Sequence, residues 1–360
     1  MSVRTLVPDK GITATITSVE MPFSNCQVVL ARPLHGTPRA GDFRLQYTAL
    51  PEPQSGQLLV RHIYLSLDPY QRPAMAGRHM DEADASKAGA VPPGETIGQV
   101  LVSRDPSFAP GDYVRHHGGW QSFSVVDGAN ACRVDPLPAP LSTHLGVLGM
   151  PGLTAWASVV HVAGISAGQT LLVSAATGPV GAMTGQLARQ AGATVIGIAG
   201  SDEKCRYATE ELGYLACINY RSGDYPAALR AAAPDGVDAY HDNVGGQMLM
   251  DALGVLRNHG TVVLCGLISQ YNAPSRDGIF NLGLAIKKRA IMKGLVVHDY
   301  EERRQNFLDM ATPLVASGAI RYREDRVCGL ENAGAHFEKL MTGRNFGKAI
   351  VVIGPERMSA

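Results

Sequence analysis

Residues 173–185 read VSAATGPVGAMTG. A short apolar run, Leu171 to Val173, precedes this stretch. Small and apolar residues at helical spacing follow it from Val180 to Ala191, so the order is strand, turn, helix. Ala176, Gly178 and Gly181 fill the three glycine places of a G-x-G-x-x-G turn, with alanine in the first. Glycine at 178 lets the backbone approach a pyrophosphate, and glycine at 181 lets the helix pack close to its strand. The helix N-terminus adds N–H donors and partial positive charge.

The surrounding pattern decides whether that turn belongs to a dinucleotide fold. From about Gly146, strands alternate with helical segments: TLLVSA, a helix over 180–191, TVIGIA, a helix over 202–212, ACINY, a helix over 224–232, VDAYHDN, a helix over 246–257, and GTVVLCG. This alternation predicts an α/β chain with a doubly wound parallel (Rossmann) sheet. From about Gln27 to Asp135 the pattern is different. Short β-rich runs such as QLLVRHIYLSLD and TIGQVLVS are separated by Pro and Gly clusters, which predicts a β-rich, barrel-like domain with its first strand over Cys26 to Ala31. Past Ala319 the chain turns to YREDRVCGL, a helix over 332–342 and a closing strand GKAIVVI, expected to return to the first domain. The expected division is a substrate-side domain of 1–145 with 320–360 and a nucleotide-binding domain of 146–319.

The second strand of the alternating series indicates which dinucleotide is bound. An NAD site would carry Asp or Glu at its end to take the ribose hydroxyls. Here Ala199, Gly200 and Ser201 stand at that place, and Lys204 follows. A hydroxyl and an ammonium suit a 2′-phosphate, which a carboxylate would repel, so NADPH is expected. Ser201, Asp202 and Glu203 also read as a helix start, with serine as N-cap and acids in the first turn, and both readings can hold in one loop.

Composition excludes several classes. Lysine plus arginine equals aspartate plus glutamate, 32 each in 360 residues, so no global field favours nucleic acid or an anionic membrane. The uncharged stretch between Asp135 and Arg189 is interrupted by Pro and Gly and contains no uniformly apolar window of membrane-spanning length. The first residues lack the apolar core of a secretory signal and read as an extension ahead of the first strand. The six cysteines are scattered without close pairs, which fits neither a disulfide framework nor a zinc-ligand spacing and suggests a reducing, cytoplasmic location. A small-molecule partner is expected.

LGMPGLTAW, SAATGPVG, GIAGSDEKC, INY, DNVGG, CGLISQYN and RNFGKAIV, with YLSLDPYQRP near the start, fall in one order from about residue 27 to 353. In these motifs the chain resembles the zinc-independent medium-chain dehydrogenase/reductases, in their NADPH-dependent alkenal, prostaglandin and curcumin double-bond reductase branch. The resemblance implies a GroES-like first domain, a homodimer and a set of cofactor contacts. Gly178, Pro179, Val180, Gly181 and Ala182 would lie under the pyrophosphate. Ser201, Lys204 and Tyr220 would lie at the 2′-phosphate end, with Asn243 on the ribose side. Cys265, Gly266, Ile268, Ser269 and Tyr271 would line the nicotinamide with Leu295, Val296, Val297 and Asn345, and Met150 and Thr154 would sit by the carboxamide. Thr177 and Pro179 stand where relatives commonly carry alanine, and neither change is expected to abolish binding.

No metal is expected. PPGETIGQV lacks a histidine between Gly94 and Glu95, the four-cysteine lobe is missing, and His62, His116 and His117 read as strand or surface residues. The implied activity is reduction of the C=C bond of an enone or enal, with Tyr271 holding the developing enolate oxygen. Tyr70 would face the substrate from the other domain. Asp68 and Arg72 are expected to pair and shape the Tyr70 loop, and Cys265 to contribute its backbone rather than its thiol. An NADPH:quinone reductase remains the alternative. A non-catalytic dinucleotide-binding protein and a secondary alcohol dehydrogenase stand behind both.

Overall fold

The structure, a computed structural model, describes residues 24–80, 84–273 and 282–356. The expected N-terminal extension therefore lies outside the described residues, as do parts of the loops on either side of the proposed substrate site.

The alternating half forms a six-stranded, all-parallel sheet. Its spatial order is Ala216–Asn219, Thr194–Ala199, Thr170–Ser174, Val237–Asp242, Leu256–Leu264, Ile291–Gly294. In chain order this is 3-2-1-4-5-6, the doubly wound arrangement, with its reversal between Thr170–Ser174 and Val237–Asp242. Side chains alternate between two apolar layers. Leu171 and Val173 enter a core with Leu153, Met183, Leu187 and Phe307, while Leu172 enters the opposite core with Ile196, Leu229, Tyr240 and Leu253. Strands buried on both faces explain why these runs are continuously apolar in sequence.

The helices lie close to where the periodicity puts them: Pro179–Gln190, Asp202–Glu210, Tyr225–Ala232 and Gly246–Val255. The fifth strand differs. It begins at Leu256, directly after the helix, instead of at Gly260, and His259 takes a left-handed φ of 67° within it. Asn and His tolerate that region better than branched residues do, so the strand can bend at His259 and extend back over residues placed at the end of the helix.

A second sheet runs Glu324–Cys328, Lys348–Val352, Gln57–Ser66, Thr96–Ser103, Tyr113–His116, Cys132–Arg133, with Phe123–Asp127 alongside Gln57–Ser66. The two C-terminal strands thus complete the sheet of the N-terminal half, Ile350 pairing with Ser66. The hairpin Asn25–Leu30 and Phe43–Thr48, one residue offset from the expected first strand, closes over the core. Trp120 is fully buried there, stacked on Phe43 at 5.1 Å and edge-on to Phe337 of the helix Ala333–Met341 at 5.3 Å.

One expected pair is corrected. Asp68 is bonded to Lys348 and Ser66, not to Arg72, whose guanidinium donates to the carbonyls of Gly36 (3.0 Å) and Leu34 (3.4 Å). Both Asp68 and Lys348 are buried, and an ion pair out of water is tolerated only when each member is matched. The pair fastens the closing strand to the loop that carries Tyr70.

Candidate cofactor and active site

The phosphate turn is tight. Ala175 adopts a left-handed φ of 49°, one residue before the alanine that fills the first glycine place. Gly178 caps the helix and donates to Ala175 O (2.9 Å), and Ala182 donates to Gly178 O (2.8 Å). Pro179 has no N–H, so Val180 and Gly181 carry the first-turn donors that a helix start cannot satisfy internally. A Cβ on Gly181 would lie 2.4 Å from Ala175 O, and one on Gly185 2.2 Å from the Tyr214 ring, whose hydroxyl donates to Gly181 O (2.7 Å). The helix therefore approaches the strand as closely as glycine allows. Its N-terminus is aimed along the carboxyl edge of the sheet at the point of reversal, where open α/β sheets bind ligands.

At the next strand end, Ser201 caps the helix Asp202–Glu210, its hydroxyl accepting from the Lys204 backbone N–H (3.2 Å). Asp202 is engaged with Asn219 Nδ2 (2.8 Å). Lys204 Nζ donates to Gly343 O (2.9 Å), and its pKa is lowered by burial and by the neighbouring Arg221 cation. Arg221 stands over the Tyr220 ring at 5.4 Å, donates through Nε to Tyr220 Oη (3.2 Å) and reaches Thr342 O (3.2 Å). Two cations and a tyrosine thus share a corner whose nearest acceptors are the carbonyls ending the helix Ala333–Met341, in the turn that leads to Asn345. Arg221 was missed in the sequence; its only signal was a basic residue directly after Tyr220.

The reversal point itself is knitted by Asn243 and Asp242. Asn243 donates its backbone N–H to Ser174 Oγ and its side-chain Nδ2 to Ser174 O, both at 2.8 Å. Asp242 is fully buried. It accepts from Val244 N (2.9 Å), Gly245 N (2.8 Å) and Tyr240 Oη (2.8 Å), while its carbonyl accepts from Cys265 N and Gly266 N. Burial raises the Asp242 pKa against the pull of those donors. These bonds fix the segment after the fifth strand. The Cys265 thiol is driven up to about 12 by burial and by Asp242, which disfavours its thiolate.

Gly266 leads into the short helix Ile268–Tyr271, tethered by Ser269 Oγ to Val244 O (2.6 Å). Tyr271 Oη accepts from Leu267 N (3.2 Å), and its ring packs against the core of the other half that contains Leu67, Met75 and Trp120. Tyr70 precedes the helix Gln71–Met75 in that half and meets the His79 ring at a tilt of 31°, 5.1 Å between centroids, while Arg78 donates to Ala273 O (2.9 Å). The two tyrosine-bearing segments therefore meet across the seam.

Leu295 is buried and bonded to Leu264 O (2.9 Å), with Val296 and Val297 opening the next turn. Met150 starts the helix Met150–Ala157, whose Thr154 hydroxyl donates back to Met150 O (2.8 Å). Asn345 donates to Gly347 O (2.9 Å). Among the described residues no three His, Cys, Asp or Glu side chains converge as a metal site. His62 is bonded to Gln121 O and Ser124 Oγ, and His116 to Thr96 Oγ1.

Comparison with known proteins identifies the family. Residues 26–134 match the family described as the N-terminal domain of oxidoreductase, and residues 179–312 the family described as zinc-binding dehydrogenase. The chain is 39% identical to the NADPH-dependent curcumin reductase of Escherichia coli (strain K12), over 91% of this chain and 96% of that protein. It is 37% identical to the NADP(+)-dependent 2-alkenal reductase of Nicotiana tabacum, over 92% and 98%. The crystal structure of CurA from Vibrio vulnificus in complex with NADPH superposes with a TM-score of 0.85 at 37% identity, covering 92% of this chain and 99% of that one.

Proposed function

Because this chain belongs to the medium-chain dehydrogenase/reductase family, in its double-bond reductase branch, we propose that it reduces the C=C bond of α,β-unsaturated ketones and aldehydes with NADPH. The residues fit that cofactor. Gly181 has space only for glycine, a Cβ there lying 2.4 Å from Ala175 O, which holds the helix N-terminus close against the strand where it can face a pyrophosphate, and the corner of Lys204, Tyr220 and Arg221 contains no carboxylate on the strand end to oppose a 2′-phosphate. Ser201, Asn243, Asn345 and the 265–271 and 295–297 segments complete the proposed cofactor contacts, with Met150 and Thr154 at the carboxamide end.

When bound, NADPH would supply a hydride to the β-carbon of the substrate, and a proton from solvent would complete the reduction at the α-carbon. Negative charge develops on the carbonyl oxygen as the hydride arrives, and a donor fixed in advance at that oxygen lowers the barrier. Tyr271 is that donor in our reading. The single observation that carries it is the placement of Tyr271 at the seam of the two halves, its oxygen accepting the Leu267 N–H. An oxygen that accepts an N–H is polarised to give up its own hydrogen in a hydrogen bond. Tyr70 forms the facing wall.

The nucleotide-binding unit is assigned to 146–319 and the substrate-side unit to 1–145 with 320–360. A homodimer is supported by the edge strand Ile291–Gly294, which is exposed along its length and carries Ile291 and Met292 outward. A cytoplasmic location is supported by six cysteines held as free thiols.

Product analysis tests the reading. NADPH and a long-chain enone should give the saturated ketone. An allylic alcohol as product, or consumption of NADPH with quinones alone, would contradict it.

A further inference from the structure

Two polar side chains lie wholly inside the apolar nucleotide-binding half without any part in the contacts assigned so far. Ser158, at 1% exposure, opens the π-helical turn Ser158–Ala163 directly after the helix Met150–Ala157. His241, at 0%, sits near the end of the fourth strand, two residues before Asn243. The Ser158 hydroxyl and His241 Nδ1 are 2.6 Å apart, and His241 Nε2 and Asn243 Oδ1 are 3.2 Å apart. Buried polar groups that reach across 83 residues of chain to find one another are not incidental to an apolar core, where isosteric apolar side chains would pack without that constraint.

The hydrogen positions follow from the neighbours. Asn243 Nδ2 donates to Ser174 O, so the amide oxygen faces His241. An amide oxygen only accepts, which puts the imidazole proton on Nε2 and leaves Nδ1 to take the hydrogen of the Ser158 hydroxyl. Burial holds this imidazole neutral by lowering its pKa to about 4. The path therefore has one direction, Ser158 to His241 to Asn243 to Ser174, and each member has one arrangement. It connects three segments around the cofactor crevice: the helix that starts at Met150, the fourth strand, and the first strand just ahead of the phosphate turn.

We propose that Ser158 and His241 are positioning residues for NADPH binding, locking the Asn243 amide in the rotamer that meets the ribose side of the cofactor. The inference rests on the NADPH reading above. Neither residue touches the cofactor. His241 acts by filling one side of the Asn243 carbonyl oxygen, so that the remaining lone pair and the second N–H of the amide are presented in a fixed direction. Ser158 acts by holding the ring plane of His241, donating its hydroxyl hydrogen to Nδ1 in the tautomer that Asn243 sets.

The test is the dissociation constant for NADPH, read from nicotinamide fluorescence, beside the melting temperature by circular dichroism. His241→Phe keeps the ring volume and deletes the Nε2 donor. It is expected to weaken NADPH about tenfold, the factor for a buried acceptor that loses its donor, with the enone KM unchanged. Ser158→Ala should weaken it by about threefold. Asn243→Ala should weaken it by about tenfold, and His241→Phe combined with Asn243→Ala should be no worse than Asn243→Ala alone, because both act through one amide. Wild-type affinity in His241→Phe, or independent multiplication of the two effects, would overturn the proposal. If His241→Phe gives no cooperative melt, Ser158→Ala, which removes one oxygen, decides in its place. Failure of the parent reading looks different: wild-type protein that binds NADPH but reduces no enone sinks the reductase while the comparison of dissociation constants still judges the dyad.

Discussion

Replacing Arg221 by alanine should separate NADPH from NADH. In the structure its guanidinium makes two long bonds to neutral acceptors, Tyr220 Oη and Thr342 O, each at 3.2 Å. A phosphate dianion is a much better acceptor, and exchanging those bonds for it costs little. Lys204 is held more firmly, with one 2.9 Å bond to Gly343 O and a half-buried stem. A charge-assisted bond to a phosphate contributes about 1.5–2 kcal/mol at a half-exposed site. Arg221→Ala is therefore expected to raise the KM for NADPH roughly 10- to 30-fold, leave the KM for NADH unchanged, and leave kcat at saturating NADPH near wild type. Arg221→Lys should recover part of the loss. The gap between wild type and variant should shrink as salt rises from about 0.05 to 0.5 M, because the corner opens to solvent. The assay is initial-rate NADPH and NADH oxidation at fixed enone. Equal loss with both cofactors, or no loss with either, would refute the assignment of this corner to the 2′-phosphate.

Three further outcomes follow from the same contacts. Gly181→Ala places a methyl group 2.4 Å from a backbone carbonyl, so the helix must shift; the melting transition should fall by the equivalent of about 1–3 kcal/mol and NADPH binding should weaken sharply, as thermal melts and fluorescence titration would show. Cys265 should resist iodoacetamide at pH 8 while the exposed Cys132 and Cys328 react, read by mass spectrometry of the intact and digested protein; prompt alkylation of Cys265 would show that its thiol pKa is not raised as described. His62 and His241 are both lowered to about 4 by burial, so above pH 6.5 neither group binds protons in either state and stability is independent of them. Between 6.5 and 4 the unfolded chain takes up protons that the fold refuses, and stability falls by up to ~3 kcal/mol for each. The melting temperature should drop steeply across that window, and less steeply in His241→Phe.

The parallel half was legible because its information is local. A strand buried on both faces is a continuous apolar run, a helix is a 3.6-residue repeat, and Gly178 and Gly181 mark the turn between them. The absence of a carboxylate at 199–201 was equally local. What could not be read depends on residues distant in the chain. Asp68 looked suited to Arg72 four residues on, yet its partner Lys348 lies 280 residues away and is delivered by a strand that crosses from the chain's end. Ser158 and His241 each read as ordinary interior residues until the sheet brings them together. Ala175 carries the left-handed turn one position from where the glycine pattern puts it, because the constraint on the first place is the close packing of Ala176 under the second strand, with Ala176 N donating to Ile198 O (3.0 Å). Arg221 was visible as a residue but had no meaning until Tyr220, Lys204 and the 342–343 carbonyls surrounded it.

The central claim is that Tyr271 stabilises the carbonyl oxygen of an enone as it is reduced. Single-turnover oxidation of enzyme-bound NADPH by a long-chain enone, wild type beside Tyr271→Phe, measures this directly. The account predicts a fall of about 100-fold in the chemical step, with the saturated ketone still the product. A variant that turns over at the wild-type rate would contradict it and return the tyrosine to a purely packing role.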